Sequence, residues 1–138
     1  MPKKVVPRKK LSRREQRTLD IEIGFLEGVV RRDPGYVEAL QVLGDDYTRR
    51  GKFRDGLMVD KKLAELCPED SLVHYNLACS YSLTSQFDKA VAALDNALDL
   101  GYCDFNWLSR DPDLRNLRKH PLYKQIRSKV KTLRIKIR

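Results

Sequence analysis

The sequence VEALQVLGDDYTRRGKFRDGLMVDKKLAELCPED, residues 37–70, is followed directly by SLVHYNLACSYSLTSQFDKAVAALDNALDLGYCD, residues 71–104. Both stretches are 34 residues long, and residues of the same kind occupy equivalent places in them. Matched places at one fixed spacing predict an internal structural repeat. The equivalent pairs include Leu43 and Leu77, Tyr47 and Tyr81, Phe53 and Phe87, and Leu66 and Leu100.

Each copy is predicted to form two antiparallel helices. Apolar residues recur at steps of three and four on both sides of a short polar break, which is the pattern of an amphipathic helix. The breaks are residues 50–52 in the first copy and residues 84–86 in the second. Small residues let the helices of a pair approach closely, and they stand at equivalent places: Gly44 and Ala78, then Gly56 and Ala90.

This order of residues resembles the tetratricopeptide repeat family, whose helix-turn-helix unit of the same length carries Leu-Gly, then Tyr, then a small residue, then Pro. The resemblance extends over residues 20–104 and implies an all-α solenoid that binds another protein without catalysis. Leu40 and His74 stand where the family usually has Trp, and Tyr102 stands where it has Pro. The matching residues are Leu43-Gly44, Tyr47, Gly56 and Pro68 in the first copy, and Leu77-Ala78, Tyr81, Ala90 and Ala97 in the second.

Residues 12–34 are predicted to be half a repeat. Ser12 and Glu15 have the spacing of a capping box, in which each side chain accepts a hydrogen bond from the other residue's backbone amide. The apolar pattern that follows, which includes Ile21 and Phe25, resembles a second helix that lacks its own first helix.

Residues 105–138 are predicted to be a degenerate repeat followed by a capping helix. A third copy begins at Phe105, but Asp111-Pro112 must end its helix, because proline lacks an amide hydrogen and disfavours a helical residue before it. Apolar residues then recur at helical steps from Leu122 to Ile137, with basic residues on the other side of the helix. The predicted organisation is a basic arm at 1–11, a half-repeat helix at 12–34, two tetratricopeptide repeats at 35–104 and this cap at 105–138, with about seven helices in all.

The resemblance also implies where a partner would bind. In the family, the first helices of successive units line a concave groove. Asp45 would repel a carboxylate, which argues against the mode in which the family grips a peptide's C-terminus. In a second interpretation, Leu72 and Tyr75 pack against Trp107 and the C-terminal cap in a nearly closed groove. The residues predicted to line the groove are Gln41, Asp45, Arg49, Leu72, Tyr75, Asn76, Cys79 and Arg110.

The net charge of +9 is unevenly distributed. Residues 1–19 carry 8 basic and 1 acidic side chains, residues 20–114 carry 10 and 18, and residues 115–138 carry 10 and none. Basic ends favour attraction of an anionic partner, so an RNA-binding or ribosome-associated protein is the alternative function. A membrane-surface role for the last helix is a third possibility. The residues predicted to form the basic surface are Lys9, Lys10, Arg13, Arg14, Lys124, Arg127, Lys131 and Arg134.

Three features together predict a cytoplasmic protein. No apolar run is long enough to span a bilayer. The basic N-terminus is not followed by the apolar stretch of a signal peptide. Cys67, Cys79 and Cys103 are odd in number and irregular in spacing, which predicts reduced thiols in or near the core.

No catalytic or metal-binding constellation is expected. His74 and Cys79 lie about 140° apart around a helix, so they do not share a face as a nucleophile and its base would. His120 has no Cys, Asp or Glu close to it in sequence, and neither Cys-x-x-Cys nor a Gly-rich phosphate loop occurs. We therefore expect no cofactor, no metal and no enzymatic activity, and the sequence does not indicate the oligomeric state.

Overall fold

The computed structural model describes residues 10–137, with side chains to residue 136. The all-α prediction is confirmed, because this part of the chain contains helices and turns and no strand. The first five helices pack side by side in chain order, as in a helical solenoid. The helices are α1 (Arg13–Arg32), α2 (Val37–Arg49), α3 (Phe53–Leu66), α4 (Ser71–Leu83), α5 (Phe87–Asp99), α6 (Phe105–Leu108), α7 (Arg115–Arg118) and α8 (Tyr123–Ile137), with a 3-10 turn at Pro112–Leu114.

Helix α1 begins at the predicted capping box. The Ser12 hydroxyl accepts a hydrogen bond from the Glu15 amide at 3.1 Å, and the Glu15 carboxylate accepts from the Ser12 amide at 3.0 Å. Such a cap satisfies two amides that a helix start leaves without partners, and it is worth about 1 kcal/mol.

The turns inside the two helix pairs have the same conformation. Gly51 has a φ of 85° and its equivalent Ser85 has a φ of 58°, so both occupy the left-handed region that ends many helices. The chain therefore reverses direction in the same way between the two helices of each pair. Equivalent backbone hydrogen bonds close the two turns: Lys52 N to Tyr47 O at 2.8 Å, and Gln86 N to Tyr81 O at 2.8 Å.

Close helix approach explains the small residues at the repeated positions. A Cβ atom added to Gly44 would lie 3.1 Å from Cγ1 of Val59, and one added to Gly56 would lie 3.1 Å from a threonine hydroxyl of α2. The equivalent residues of the second pair, Ala78 and Ala90, are fully buried. The predicted contact between α2 and α3 is therefore confirmed.

The apolar core consists of two clusters, and Ala64 of α3 packs against both. The first lies among α1, α2 and α3 and includes Leu43 and Leu63. The second lies among α4, α5 and the C-terminal segment and includes Leu94, Leu114 and Ile126. Burial of this apolar surface is the main force that holds the helices together.

The C-terminal segment differs in two details from its prediction. The described chain contains eight α-helices rather than about seven, because the break before Pro112 leaves two one-turn helices, α6 and α7. Helix α8 buries Tyr123 and Ile126, whereas Leu122 precedes the helix and is 38% exposed, so its assignment to the buried stripe was wrong. Lys129 holds α8 against α5, because its ammonium group contacts the carboxylates of Asp95 at 2.6 Å and Asp99 at 2.5 Å.

Candidate interaction surfaces

The first helices of the two pairs, α2 and α4, form the face on which a groove was predicted. On α2, Arg49 is exposed, and Gln41 and Asp45 are half-buried. These residues are four apart, so they follow one side of the helix at intervals of about 6 Å. The α2 part of the predicted groove therefore remains accessible.

The α4 part of the face is largely closed. Tyr75 and Cys79 are fully buried, which differs from their predicted place on an open surface. Leu72 is half-buried and packs against the C-terminal core, together with Trp107. Asn76 keeps partial exposure, and Arg110 is exposed. For Tyr75 and Leu72, the structure matches the second interpretation, in which both pack against the cap.

The turn that follows α6 is what covers Tyr75. The Tyr75 hydroxyl donates to Oδ2 of Asp111 at 2.7 Å, and its ring stacks on Tyr102 with centroids 4.2 Å apart. Burial raises the pKa of this hydroxyl above its ordinary value, so it remains protonated and continues to donate. The carboxylate of Asp111 is thus bonded to α4 instead of solvent.

Asp111 also holds the turn itself together. Its Oδ1 accepts from the Asp113 amide at 2.9 Å, and its Oδ2 lies 3.6 Å from the Cys79 sulfur. Atoms that could bind a metal lie within 4.8 Å of one another on Cys79, Asp111 and Asp113. The sequence did not predict this group, because Cys79 is 32 residues from Asp111. Because both oxygens of Asp111 already accept hydrogen bonds, we interpret this cluster as a structural lock between the turn and α4.

Both histidines have structural partners. His74 Nε2 donates to the Pro68 carbonyl oxygen at 2.8 Å, across the loop before α4. His120 Nδ1 accepts from the Leu122 amide at 3.1 Å, and its ring packs against Phe87. All three cysteines are free thiols, with Cys67 half-buried, Cys79 buried and Cys103 exposed.

The basic residues predicted at the two ends belong to helices with different packing partners. Lys10, Arg13 and Arg14 are exposed at the start of α1, which packs on α2, and Lys9 lies outside the described residues. The other group is on α8, which packs on α5. Its four members, Lys124, Arg127, Lys131 and Arg134, are all exposed.

One buried acid gives the fold a pH dependence. Asp46 on α2 is 3% exposed and lies beside Glu22 of α1. Burial, together with the hydrogen bond and the negative charge of Glu22, raises the pKa of Asp46 from 3.8 to about 8. The folded state therefore binds a proton that the unfolded chain releases above about pH 4.

We expect the Asp46→Asn variant to unfold at a higher urea concentration than the wild type at about pH 8. The wild type loses stability as pH rises between the unfolded and folded pKa values, whereas an amide at this position does not titrate. The gain should be about 1–3 kcal/mol near pH 8 and should shrink towards pH 4. The measurement is urea unfolding of both proteins across this range. A gain that is the same at every pH would contradict the proposed titration.

The structure defines this chain as an all-helical protein built from repeated helix pairs. No family model matches it. It is 37% identical to a protein of Arabidopsis thaliana that is named as chloroplastic, over 89 residues, which cover 59% of this chain and 27% of that protein. It is 28% identical to the PEX5-related protein of Mus musculus over 110 residues, which cover 80% of this chain and 18% of that protein. The chain thus spans only a minor part of the relatives it resembles.

The described helices include none that is both long enough and apolar enough to cross a membrane.

Proposed function

We propose that this chain is a non-catalytic tetratricopeptide-type adaptor that binds a segment of another protein along α2 and the accessible part of α4. The repeated helix pairs support this function, as does the similarity to the PEX5-related protein over most of the chain. In this proposal, residues 35–104 form the binding repeats between the half-repeat at 12–34 and the cap at 105–138.

The accessible row on α2 carries the proposal. Gln41, Asp45 and Arg49 offer an amide, a carboxylate and a guanidinium at intervals of about 6 Å. An extended peptide directs a side chain to the same face about every 6.6–7 Å. A bound segment would therefore meet these three groups with successive side chains on one face. In this proposal Leu72 and Asn76 extend the contact onto α4, and the exposed Arg110 is a further contact.

The experiment compares capture of proteins from host lysate by three forms of the chain. The groove variant combines Gln41→Ala, Asp45→Ala and Arg49→Ala. The matched control combines Arg54→Ala, Lys61→Ala and Glu65→Ala, all exposed on the second helix α3. All samples are treated with nuclease, and circular dichroism checks that each variant is folded.

We expect the wild type and the control variant to capture at least one protein from the lysate that the groove variant does not capture. Loss of about tenfold in affinity for that protein corresponds to about 1.4 kcal/mol, the scale of one or two polar contacts. If the groove variant retains the same proteins as the wild type, binding along α2 is wrong.

A second candidate function is binding of RNA or the ribosome through the basic termini. It is favoured by the exposed cations of α8, since no carboxylate pairs with Lys124, Arg127, Lys131 or Arg134 within residues 10–136. Binding to phosphates would weaken steeply with salt and disappear after nuclease treatment.

The compartment that we propose from the sequence is the cytoplasm. The name of the Arabidopsis relative places that protein in the chloroplast, which is a different compartment. Fractionation of host cells, with detection of this chain by antibody, distinguishes the two.

A further inference from the structure

A cavity of about 430 Å³ lies between the one-turn helix α6 and the capping helix α8. Its apolar part is formed by Phe105, Leu108, Tyr123 and Val130. This volume is at the lower end of the range for ligand pockets, which is about 300–1,000 Å³, and it accommodates one or two large apolar side chains. The cavity is distinct from the α2 and α4 face discussed above.

Four cations surround this apolar part: Arg118, Arg127, Lys131 and Arg134. No carboxylate lines the cavity, and none forms an ion pair with these four side chains in the described part of the chain. Lys129 provides a contrast on the same helix, because it is paired with Asp95 and Asp99 of α5. Packing of α8 thus neutralises Lys129 and leaves a positive rim around an apolar cavity.

The aromatic rings of the cavity are already covered by cations. The guanidinium of Arg127 lies 5.2 Å from the centre of the Tyr123 ring, and that of Arg134 lies 5.6 Å from the centre of the Phe105 ring. Base stacking, which single-stranded nucleic acids use on proteins, requires free ring faces. Held guanidinium groups are instead well suited to bind carboxylates, since their planar donors match a carboxylate in two parallel hydrogen bonds.

The spacing of the rim matches a helical partner. Arg127, Lys131 and Arg134 are four and three residues apart, so they lie along one side of α8 over about 10 Å. Carboxylates at the same spacing on a second helix would face them. The apolar cavity beside this row suits an apolar side chain, which neither a nucleic-acid backbone nor a free anion supplies.

We propose that the α6–α8 cavity binds an acidic amphipathic helix of a protein partner. A large apolar side chain of the partner enters the cavity, and its Asp or Glu residues pair with Arg127, Lys131 and Arg134. This site is separate from the adaptor face on α2 and α4 and does not depend on it.

The probe is a blocked, fluorescent helical peptide of about 16 residues with Leu residues along one side and Glu residues flanking them. A second peptide of equal charge has Ser in place of every Leu. Fluorescence anisotropy is measured with full-length protein, at about 50 and about 300 mM salt, which separates screened charge pairs from apolar contact. A single-stranded RNA oligomer and vesicles with anionic phosphatidylglycerol are measured in parallel.

We expect the Leu peptide to bind at least about tenfold more tightly than the Ser peptide and to keep part of its affinity at high salt. The charge-reversal pair Arg127→Glu and Lys131→Glu should weaken Leu-peptide binding by at least about tenfold. The matched control, Arg54→Glu and Lys61→Glu on α3, should change it by less than about twofold. The groove variant of α2 should also bind this peptide normally, which separates this site from the adaptor face.

A second pair of substitutions, Arg127→Gln and Lys131→Gln, removes the two charges without reversing them. This double variant replaces the charge-reversal variant in the assay if circular dichroism shows that the latter is not fully helical. Equal affinity for the Leu and Ser peptides would overturn the proposal. It would also be overturned if the RNA or the vesicles bound more tightly than the Leu peptide and lost that binding in the same variants.

Discussion

Replacement of Tyr75 by alanine is expected to lower the free energy of unfolding by about 3–5 kcal/mol. The side chain is fully buried, and its ring stacks on Tyr102 at 4.2 Å. Truncation removes this packing, leaves a cavity under the turn after α6 and takes a hydrogen-bond donor from the buried carboxylate of Asp111. Since whole domains are stable by about 5–15 kcal/mol, the variant would lose a large share of its stability. Urea unfolding followed by circular dichroism measures the change.

A phenylalanine at the same position separates packing from hydrogen bonding. Tyr75→Phe keeps the ring and removes the hydroxyl that donates to Asp111, so we expect a smaller cost of about 1–3 kcal/mol. Tyr81→Phe is the matched control, because Tyr81 is half-buried on the same helix, and we expect a change within about 0.5 kcal/mol. If Tyr75→Ala lowers the free energy of unfolding by less than about 1 kcal/mol, Tyr75 is not a core residue. Its predicted place in the groove would then be correct.

The contrast between Tyr47 and Tyr75 illustrates what the sequence could predict. Tyr47 and Tyr81 occupy equivalent places in the two copies, each four residues after a leucine, so the repeat alone predicted that both lie on the first helix of a pair. Tyr75 is covered by Asp111, which is 36 residues away and belongs to an irregular turn. The sequence left open whether Tyr75 faces a partner or packs against the C-terminal cap. Turn geometry has no period, so the sequence did not indicate the bond from Tyr75 to Asp111 that decides between the two.

Helix α8 shows the same limit on a smaller scale. The predicted apolar stripe packs against the core at Ile126, Val130 and Leu133, and of its described members only Leu122 lies outside. Leu122 precedes the helix, so the position of the turn before α8 decides where the stripe begins. The basic side was predicted from Lys124, Arg127, Lys131 and Arg134. The cavity beside it depends on α6 and could not be predicted.

Replacement of Gly44 by leucine is expected to cost about 3 kcal/mol or more, because it forces α2 and α3 apart. Even a Cβ atom at this position would lie 3.1 Å from Val59 and 3.3 Å from the Asp60 carboxylate, and leucine adds three further carbons. Asp60 cannot move freely, since it accepts a hydrogen bond from Ser80 of α4 at 2.5 Å. The displacement would therefore disturb the second helix pair as well as the first. The measurement is the urea midpoint of unfolding, with thermal unfolding as a second probe.

Gly28→Leu on α1 is the control for this substitution. Apart from its own turn of helix, a Cβ atom at Gly28 would meet nothing within 4 Å, and leucine favours a helix over glycine by about 0.8 kcal/mol. We therefore expect this variant to unfold at the wild-type urea concentration or slightly above it. Gly44→Ala should fall between the two leucine variants, because it adds only the first of the crowded atoms. Equal stability of Gly44→Leu and Gly28→Leu would mean that α2 and α3 do not approach closely at Gly44. In that case the alignment of Gly44 with Ala78, on which the repeat depends, would also be wrong.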